Sequence, residues 1–282
     1  MTVLKGKPVA DAICGKITAD IAELEKKDIV PGLAIIRVGE KPDDIYYQNS
    51  AEKRMESVGI RVAGIVLKEE ISESALITKI HELNFDDEIH GILLLMPLPR
   101  HIDGEKVKRE IAPEKDIDGL TPENMCRLYS GDKNGFAPCT PSAVMEMLEY
   151  NGIDVAGKNV VIVGRSLVVG KPLAMLMLAK NATVTVCHSK TKDLKSVCRQ
   201  ADILVAAVGR AKMINADYVS ENTVVIDVGI NQDENGNMCG DVDYDSVSAK
   251  ASAVTPVPGG IGSITTSVLA KHTVISAQNM KL

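Results

Sequence analysis

Apolar positions along the first hundred residues alternate between two rhythms. Val9, Ile13, Ile17, Ile21 and Leu24 recur at helical spacing behind Pro8, which opens a helix at its first position, where a missing N–H costs nothing. A short, mainly apolar run from Leu33 to Val38 follows and stops at Gly39, as a buried strand would. Residues 43–58 then read as a helix ended by Gly59, Ile60 to Leu67 as a strand, 73–84 as a helix, and His90 to Met96 as a further apolar strand. That strand runs into Pro97-Leu98-Pro99, which cannot continue a ladder. The alternation predicts a parallel sheet covered by helices.

The second half repeats the scheme. Thr140 reads as an N-cap with Pro141 behind it, Val144, Met147 and Leu148 share one side, and Gly152 ends the helix. Strands are predicted at Asn159 to Val163, Thr183 to Cys187, Ile203 to Val208 and Val224 to Val228, with a helix from about Gly170 to Lys180. A last helix is predicted from Thr266 to Leu282. The fold class is therefore α/β with two domains and a boundary near 120–150.

Composition narrows the picture. Apolar residues are 45% and charged residues 25% of the 282, which excludes a disordered chain. With no Trp and two Phe, the core must be aliphatic, which suits strands covered on both faces. A net charge of −6 gives no field for nucleic acid. The six cysteines show no Cys-x-x-Cys pair and read as reduced core thiols; the histidines lack metal-ligand spacing. The N-terminus lacks a secretory apolar segment and no apolar run spans a bilayer, so a cytoplasmic protein without metal is expected.

The richest chemistry lies at Val160-Val161-Ile162-Val163-Gly164-Arg165-Ser166-Leu167-Val168-Val169-Gly170-Lys171-Pro172. Gly164 allows a sharp turn, and Gly170 lets a helix N-terminus approach a pyrophosphate with its free N–H groups. The spacing is Gly-x5-Gly rather than Gly-x-Gly-x-x-Gly, so a plain glycine-bounded turn also fits. The next strand ends in His188-Ser189-Lys190 with no carboxylate to hold a ribose 2′-hydroxyl. A 2′-phosphate would be accepted there, with Arg165 as its cation unless that side chain is merely solvated; NADP is favoured over NAD. Ala206-Ala207-Val208-Gly209 and Asp227-Val228-Gly229-Ile230-Asn231 end in small residues of the kind that line a cofactor cleft.

Several segments together resemble the bifunctional methylenetetrahydrofolate dehydrogenase/cyclohydrolases. They are Tyr47 in a helix after Val38-Gly39, Gly91-Ile-Leu-Leu-Leu-Met-Pro-Leu-Pro99, Lys115-Asp-Ile-Asp-Gly119, Pro138-Cys-Thr-Pro141, Gly164-Arg-Ser166, Cys187-His-Ser-Lys-Thr191, Asp227-Val-Gly-Ile-Asn231 and Thr255-Pro-Val-Pro-Gly-Gly-Ile-Gly262. They stand in the family's order and cover nearly the whole chain. The resemblance implies a folate-binding catalytic domain over 1–139, a Rossmann-type NADP domain over 140–265, a cleft between them, and helix 266–282 packing back on the first. It implies a homodimer and hydride transfer from 5,10-methylenetetrahydrofolate to NADP, followed by hydrolysis to 10-formyltetrahydrofolate. It also implies Tyr47 and Asp118 as catalytic and folate-binding, with Leu95, Pro258, Gly259 and Gly260 shaping the substrate site. Gly164, Arg165, Ser166, Gly170, Ser189, Val208, Gly209 and Ile230 fall on the cofactor side. Tyr47 and Asp118 also admit plainer readings as packing and turn residues, and Tyr46 reads as core packing.

Two departures point one way. The family's lysine four residues after the tyrosine is Ala51, and its glutamine before Pro-Leu-Pro is Leu95. That polar pair is credited with the cyclohydrolase step, which needs a base for the attacking water, whereas hydride transfer needs alignment alone. Lys53 points elsewhere on the helix, and Arg54 shares the face of Tyr47 but stays protonated. A dehydrogenase with little cyclohydrolase activity is expected; the alternatives are a fully bifunctional enzyme, a dehydrogenase of another small acid, and a non-catalytic binding protein. Ser263, where the family has proline, is a milder departure.

Overall fold

In a computed structural model of the chain, residues 1–280 are described; Lys281 and Leu282, where the last helix was expected to continue, lie outside the described residues. The chain opens with β1 (Thr2–Val3), α1 (Gly6–Glu25), β2 (Gly32–Val38), α2 (Pro42–Val58), β3 (Arg61–Leu67), α3 (Glu73–Phe85) and β4 (Gly91–Leu94). Next come α4 (Gly104–Lys108), α5 (Pro122–Ser130), α6 (Cys139–Tyr150), β5 (Asn159–Val163), α7 (Gly170–Ala179), β6 (Thr183–Cys187), α8 (Leu194–Cys198) and β7 (Ile203–Ala206). The rest is β8 (Val224–Asp227), β9 (Asn231–Gln232), β10 (Met238–Cys239), α9 (Tyr244–Ser248), β11 (Ala253–Val254) and α10 (Gly262–Asn279).

These elements form two compact units. One comprises Ala12–Cys139 with the stretch from Thr266 onward, and the other Met1–Asp11 with Thr140–Thr265. The first eleven residues thus leave the domain expected for them, because β1 pairs in parallel with β11 through Thr2↔Ala253 and Val3↔Val254.

The first unit holds a three-stranded parallel sheet in the order β3-β2-β4. All seven residues of the central strand β2 are buried, which explains why it is apolar apart from Arg37. On one face Ala34, Ile36 and Val38 pack with Leu76, Ile80 and Leu83 of α3. Helix α2 starts at Pro42 and stops where Gly59 takes the left-handed conformation at φ 89°. Strand β4 is shorter than the sequence implied, although the Leu95 N–H still donates to the Ile36 carbonyl at 3.0 Å. Helix α10 begins at Gly262, before Thr266, and Ser276 Oγ donates to the Glu114 carbonyl at 2.7 Å.

The second unit holds a six-stranded parallel sheet in the order β1-β11-β8-β7-β5-β6. Strand β5 lies between β6 and β7, so the order reverses there, as in dinucleotide-binding folds. A small hairpin, β9 with β10, was not legible in the sequence. Among the described residues no helix is long and apolar enough to cross a membrane. All six cysteines are free; four are buried, but Cys14 is partly exposed and Cys126 is exposed, which corrects the uniform core reading.

Candidate active site

In the first unit the site draws on helix α2, the end of β4 and the loop that carries Asp118. The Asp116 carboxylate, fully buried, accepts from the Leu120 and Thr121 N–H groups at 2.9 and 2.8 Å, from the Thr121 hydroxyl at 2.7 Å and from Asn124 Nδ2 at 2.9 Å. Gly119 sits at φ +60°, and a Cβ there would lie 2.6 Å from the Phe136 carbonyl oxygen. This locked turn delivers Asp118 to the start of α6, where its Oδ1 accepts from the Cys139 N–H at 2.9 Å. The expected Thr140 cap is therefore corrected: α6 starts at Cys139, and a carboxylate from a distant loop meets its N-terminus. His272 of α10 hydrogen-bonds the Ile117 carbonyl through Nδ1 at 2.8 Å, bracing the residue before Asp118.

Loss of solvent pushes the Asp118 carboxyl up to about 6, against the pull of its bonds to Cys139. Burial first, then the nearby Asp118 and Cys139, hold the Tyr47 phenol well above its ordinary value, so it stays a neutral donor. Burial likewise keeps Cys139 a thiol, which excludes it as a nucleophile. Tyr47 is half-buried, whereas Tyr46 is 71% exposed and is not core packing.

Ala51 follows Tyr47 on α2 with no exposed surface, and Leu95 is 7% exposed. Neither presents a polar group. Lys53 is exposed, and Arg54 Nη1 contacts Cys14 Sγ of α1 at 3.5 Å. Lys115, lowered in pKa by burial, donates its ammonium to the Leu83 and Asp86 carbonyls at 3.0 and 2.8 Å, closing the end of α3. Its protons are committed to the fold. Sequence reading missed Arg37, a buried arginine in β2 whose Nε donates to Gln48 Oε1 at 2.8 Å; an apolar run disguised it.

In the second unit the site is made of backbone. Gly164 sits at φ +139°, and a Cβ there would stand 2.2 Å from the Ala207 carbonyl oxygen. A Cβ on Gly170 would stand 2.1 Å from the Gly164 carbonyl oxygen. The turn between them is tied by Ser166, whose Oγ accepts from the Val169 N–H at 3.0 Å. Arg165 is exposed, and among the described residues it makes no ion pair. Ser189 is exposed in a turn closed by the His188 N–H on Thr191 Oγ1 at 2.9 Å.

Ile230 is 63% exposed, beside a Gly262 whose Cβ would meet its Cδ1 at 3.3 Å. Pro258 and Gly259 are exposed while Gly260 is buried, and the Gly6 N–H donates to the Gly259 carbonyl at 2.8 Å. These three belong to the second unit, whereas Tyr47, Leu95 and Asp118 belong to the first. The Ser263 hydroxyl donates to the Gly260 carbonyl at 2.7 Å. Val208 and Gly209 follow β7 in a loop whose N–H groups meet Asp241, a buried residue that the sequence pattern did not single out.

Residues 4–118 match the family model for the tetrahydrofolate dehydrogenase/cyclohydrolase catalytic domain, and residues 138–281 match the model for its NAD(P)-binding domain. The chain belongs to the tetrahydrofolate dehydrogenase/cyclohydrolase family. It is 52% identical over 273 residues to the bifunctional protein FolD of Carboxydothermus hydrogenoformans, covering 96% of this chain and 95% of that protein. The crystal structure of FolD from Campylobacter jejuni superposes with a TM-score of 0.97 at 43% identity, covering 99% of each chain. The Trypanosoma brucei FolD, solved with NADP cofactor and an inhibitor, gives 0.94 at 36% identity, covering 100% of this chain and 98% of that one. In this member of the family the backbone-built turn lies in the region matching the NAD(P)-binding domain, and the Asp118 loop lies at the end of the catalytic-domain match.

Proposed function

We propose that the chain oxidises 5,10-methylenetetrahydrofolate to 5,10-methenyltetrahydrofolate with NADP in one-carbon folate metabolism, and hydrolyses the methenyl product weakly or not at all. One observation carries this reading: the positions of the family's polar pair are Ala51 and Leu95, both buried and apolar, beside an otherwise intact Tyr47–Asp118 constellation. An alanine methyl accepts no proton from an attacking water, and Leu95 offers nothing to orient a base.

The cofactor unit fits a phosphorylated dinucleotide. Gly164 and Gly170 bring the backbone together at the reversal of strand order, and no carboxylate ends β6. The exposed guanidinium of Arg165 is free to meet a 2′-phosphate, with Ser189 near the strand end. Gly209, at φ +65° with no atom within 4 Å of where its Cβ would be, leaves room for a ligand. Bound NADP supplies the hydride acceptor. The chain itself holds and aligns the folate: Tyr47 as a neutral aromatic donor, and Asp118 as a carboxylate that accepts pterin N–H groups above pH of about 6.

A homodimer through the cofactor units also fits. Strand β6 is an uncovered edge with Val186 36% exposed, and α7 carries Leu178 57% exposed with no charge between Lys171 and Lys180.

The test is a time course of purified protein with methylenetetrahydrofolate and either NAD or NADP, following reduced nucleotide and methenyl product together. Reduction with NADP, and methenyl product decaying only at its spontaneous rate, is expected. The names of the relatives favour a second reading in which both steps run, and rapid loss of the methenyl compound would establish it. Failure to reduce either nucleotide would leave a binding protein.

A further inference from the structure

The loop after β7 lies beside the point where strand order reverses, and its conformation is set from behind by one buried carboxylate. Asp241 has no exposed surface. Its Oδ2 accepts from the Val208 N–H at 2.6 Å and the Gly209 N–H at 3.1 Å. Its Oδ1 accepts from the Arg210 N–H at 2.8 Å and Asn231 Nδ2 at 2.9 Å. Three successive N–H groups converging on one point form the concavity that elsewhere binds anions; here the protein's own anion fills it.

Asp241 is itself held. Asp227, 3% exposed at the end of β8, accepts from the N–H groups of Gly229 and Asp241 at 3.0 Å each and of Val242 at 2.9 Å. Its own N–H donates to Thr255 Oγ1 at 2.7 Å. The packing leaves no slack: a Cβ on Gly229 would stand 2.3 Å from Asp241 Cγ, and one on Gly240 would stand 1.9 Å from Asp227 Oδ2.

We propose that Asp241 is a positioning residue for the cofactor: it fixes the Val208–Arg210 backbone and the Asn231 side chain in the shape that receives the dinucleotide, and removes those N–H groups as rivals to the Gly164 turn for its phosphates. Asp241 does this without touching the ligand, and the inference rests on the NADP reading above. An aspartate whose two oxygens are filled by four donors is not replaceable by asparagine. The amide nitrogen would face two N–H groups that then have no acceptor, and the loop would move to relieve them.

Calorimetric titration of the full chain with NADP, and separately with methylenetetrahydrofolate, compares wild type with Asp241→Asn. NADP affinity is expected to fall roughly tenfold or more, as one unsatisfied buried donor is enough to cause, while folate affinity stays within about twofold and the far-ultraviolet spectrum is unchanged. NADP affinity within twofold of wild type in a folded variant, or equal weakening for both ligands, would overturn the proposal. Should Asp241→Asn not fold, Asn231→Ala removes one donor and leaves the carboxylate. It is expected to weaken NADP selectively by about threefold, and the same two outcomes count against it. Because binding is read without turnover, a wild type that binds NADP but does not oxidise the folate would sink the proposed activity alone. A wild type that binds no NADP would sink both.

Discussion

The two units make their sites from different materials. In the cofactor unit the shape is backbone: Gly164 and Gly170 touch without room for a methyl, and Gly229 and Gly240 lie against two buried aspartates. In the folate unit the site is made of side chains: a locked turn presents Asp118, helix α2 carries Tyr47 and Ala51, and Leu95 follows β4. A backbone site resists change, because nearly every substitution collides with something. A side-chain site can lose one chemical step through two exchanges that leave every strand and helix in place. Under the proposed function, that asymmetry is how hydride transfer, which needs placement, would persist where water activation, which needs a base, would not.

The largest effect should come from restoring what the folate unit lacks. Ala51→Lys with Leu95→Gln is expected to raise methenyl hydrolysis by roughly a hundredfold, within the range typical of general acid–base help. Both positions are buried, so the new ammonium arrives desolvated and its pKa falls toward the working range, which a base requires. Stopped-flow decay of the methenyl chromophore measures it. No gain over the spontaneous rate in a folded variant would detach the hydrolytic step from these positions and break the comparison.

The next effect tests the other unit. Gly164→Ala places a methyl 2.2 Å from the Ala207 carbonyl oxygen at φ +139°. It is expected to cut kcat/KM for NADP by roughly tenfold or more and to cost about 1–3 kcal/mol of stability. Gly157→Ala is the control: φ is +70°, but nothing lies within 4 Å of the new carbon. It should lower the melting temperature through backbone strain while leaving NADP kinetics unchanged. Equal kinetic damage from both would mean that general destabilisation, not the turn, sets cofactor binding.

Legibility in the sequence followed the same division. Regular elements came through where period and burial agree: β5 and β6 match their expected spans residue for residue, and Val9, Ile13, Ile17, Ile21 and Leu24 are all buried on α1. The Gly164 turn was legible because glycine marks a backbone demand. What stayed hidden depends on long-range partners. β1 is two residues with no pattern of its own, and it exists only because β11 offers an edge. The start of α6 was misplaced because its N-terminal partner, Asp118, lies 21 residues away. Asp241 looks like any loop aspartate until four donors are seen around it. Arg37 broke no pattern because one polar residue in an apolar run carries no period.

The smallest effect separates Asp118 as a folate ligand from Asp118 as a helix partner. Its carboxyl is raised from 3.8 to about 6 in the folded protein, chiefly by loss of solvent. Between those values the native state keeps a proton that the unfolded chain has released, so this group's contribution to stability falls as pH rises through the window. Asp118→Asn abolishes that titration. Asp227 is raised to about 6 as well, but it is present in both proteins and cancels in the difference. Urea midpoints across pH 4 to 7 should therefore show the variant gaining on wild type as pH rises, by about 1 kcal/mol once partial exposure is discounted. In the same window the wild-type KM for methylenetetrahydrofolate should fall as the carboxylate forms, whereas the variant's stays flat and its KM for NADP matches wild type. Converging stability curves with parallel KM profiles would keep Asp118 at the start of α6 and take it away from the folate.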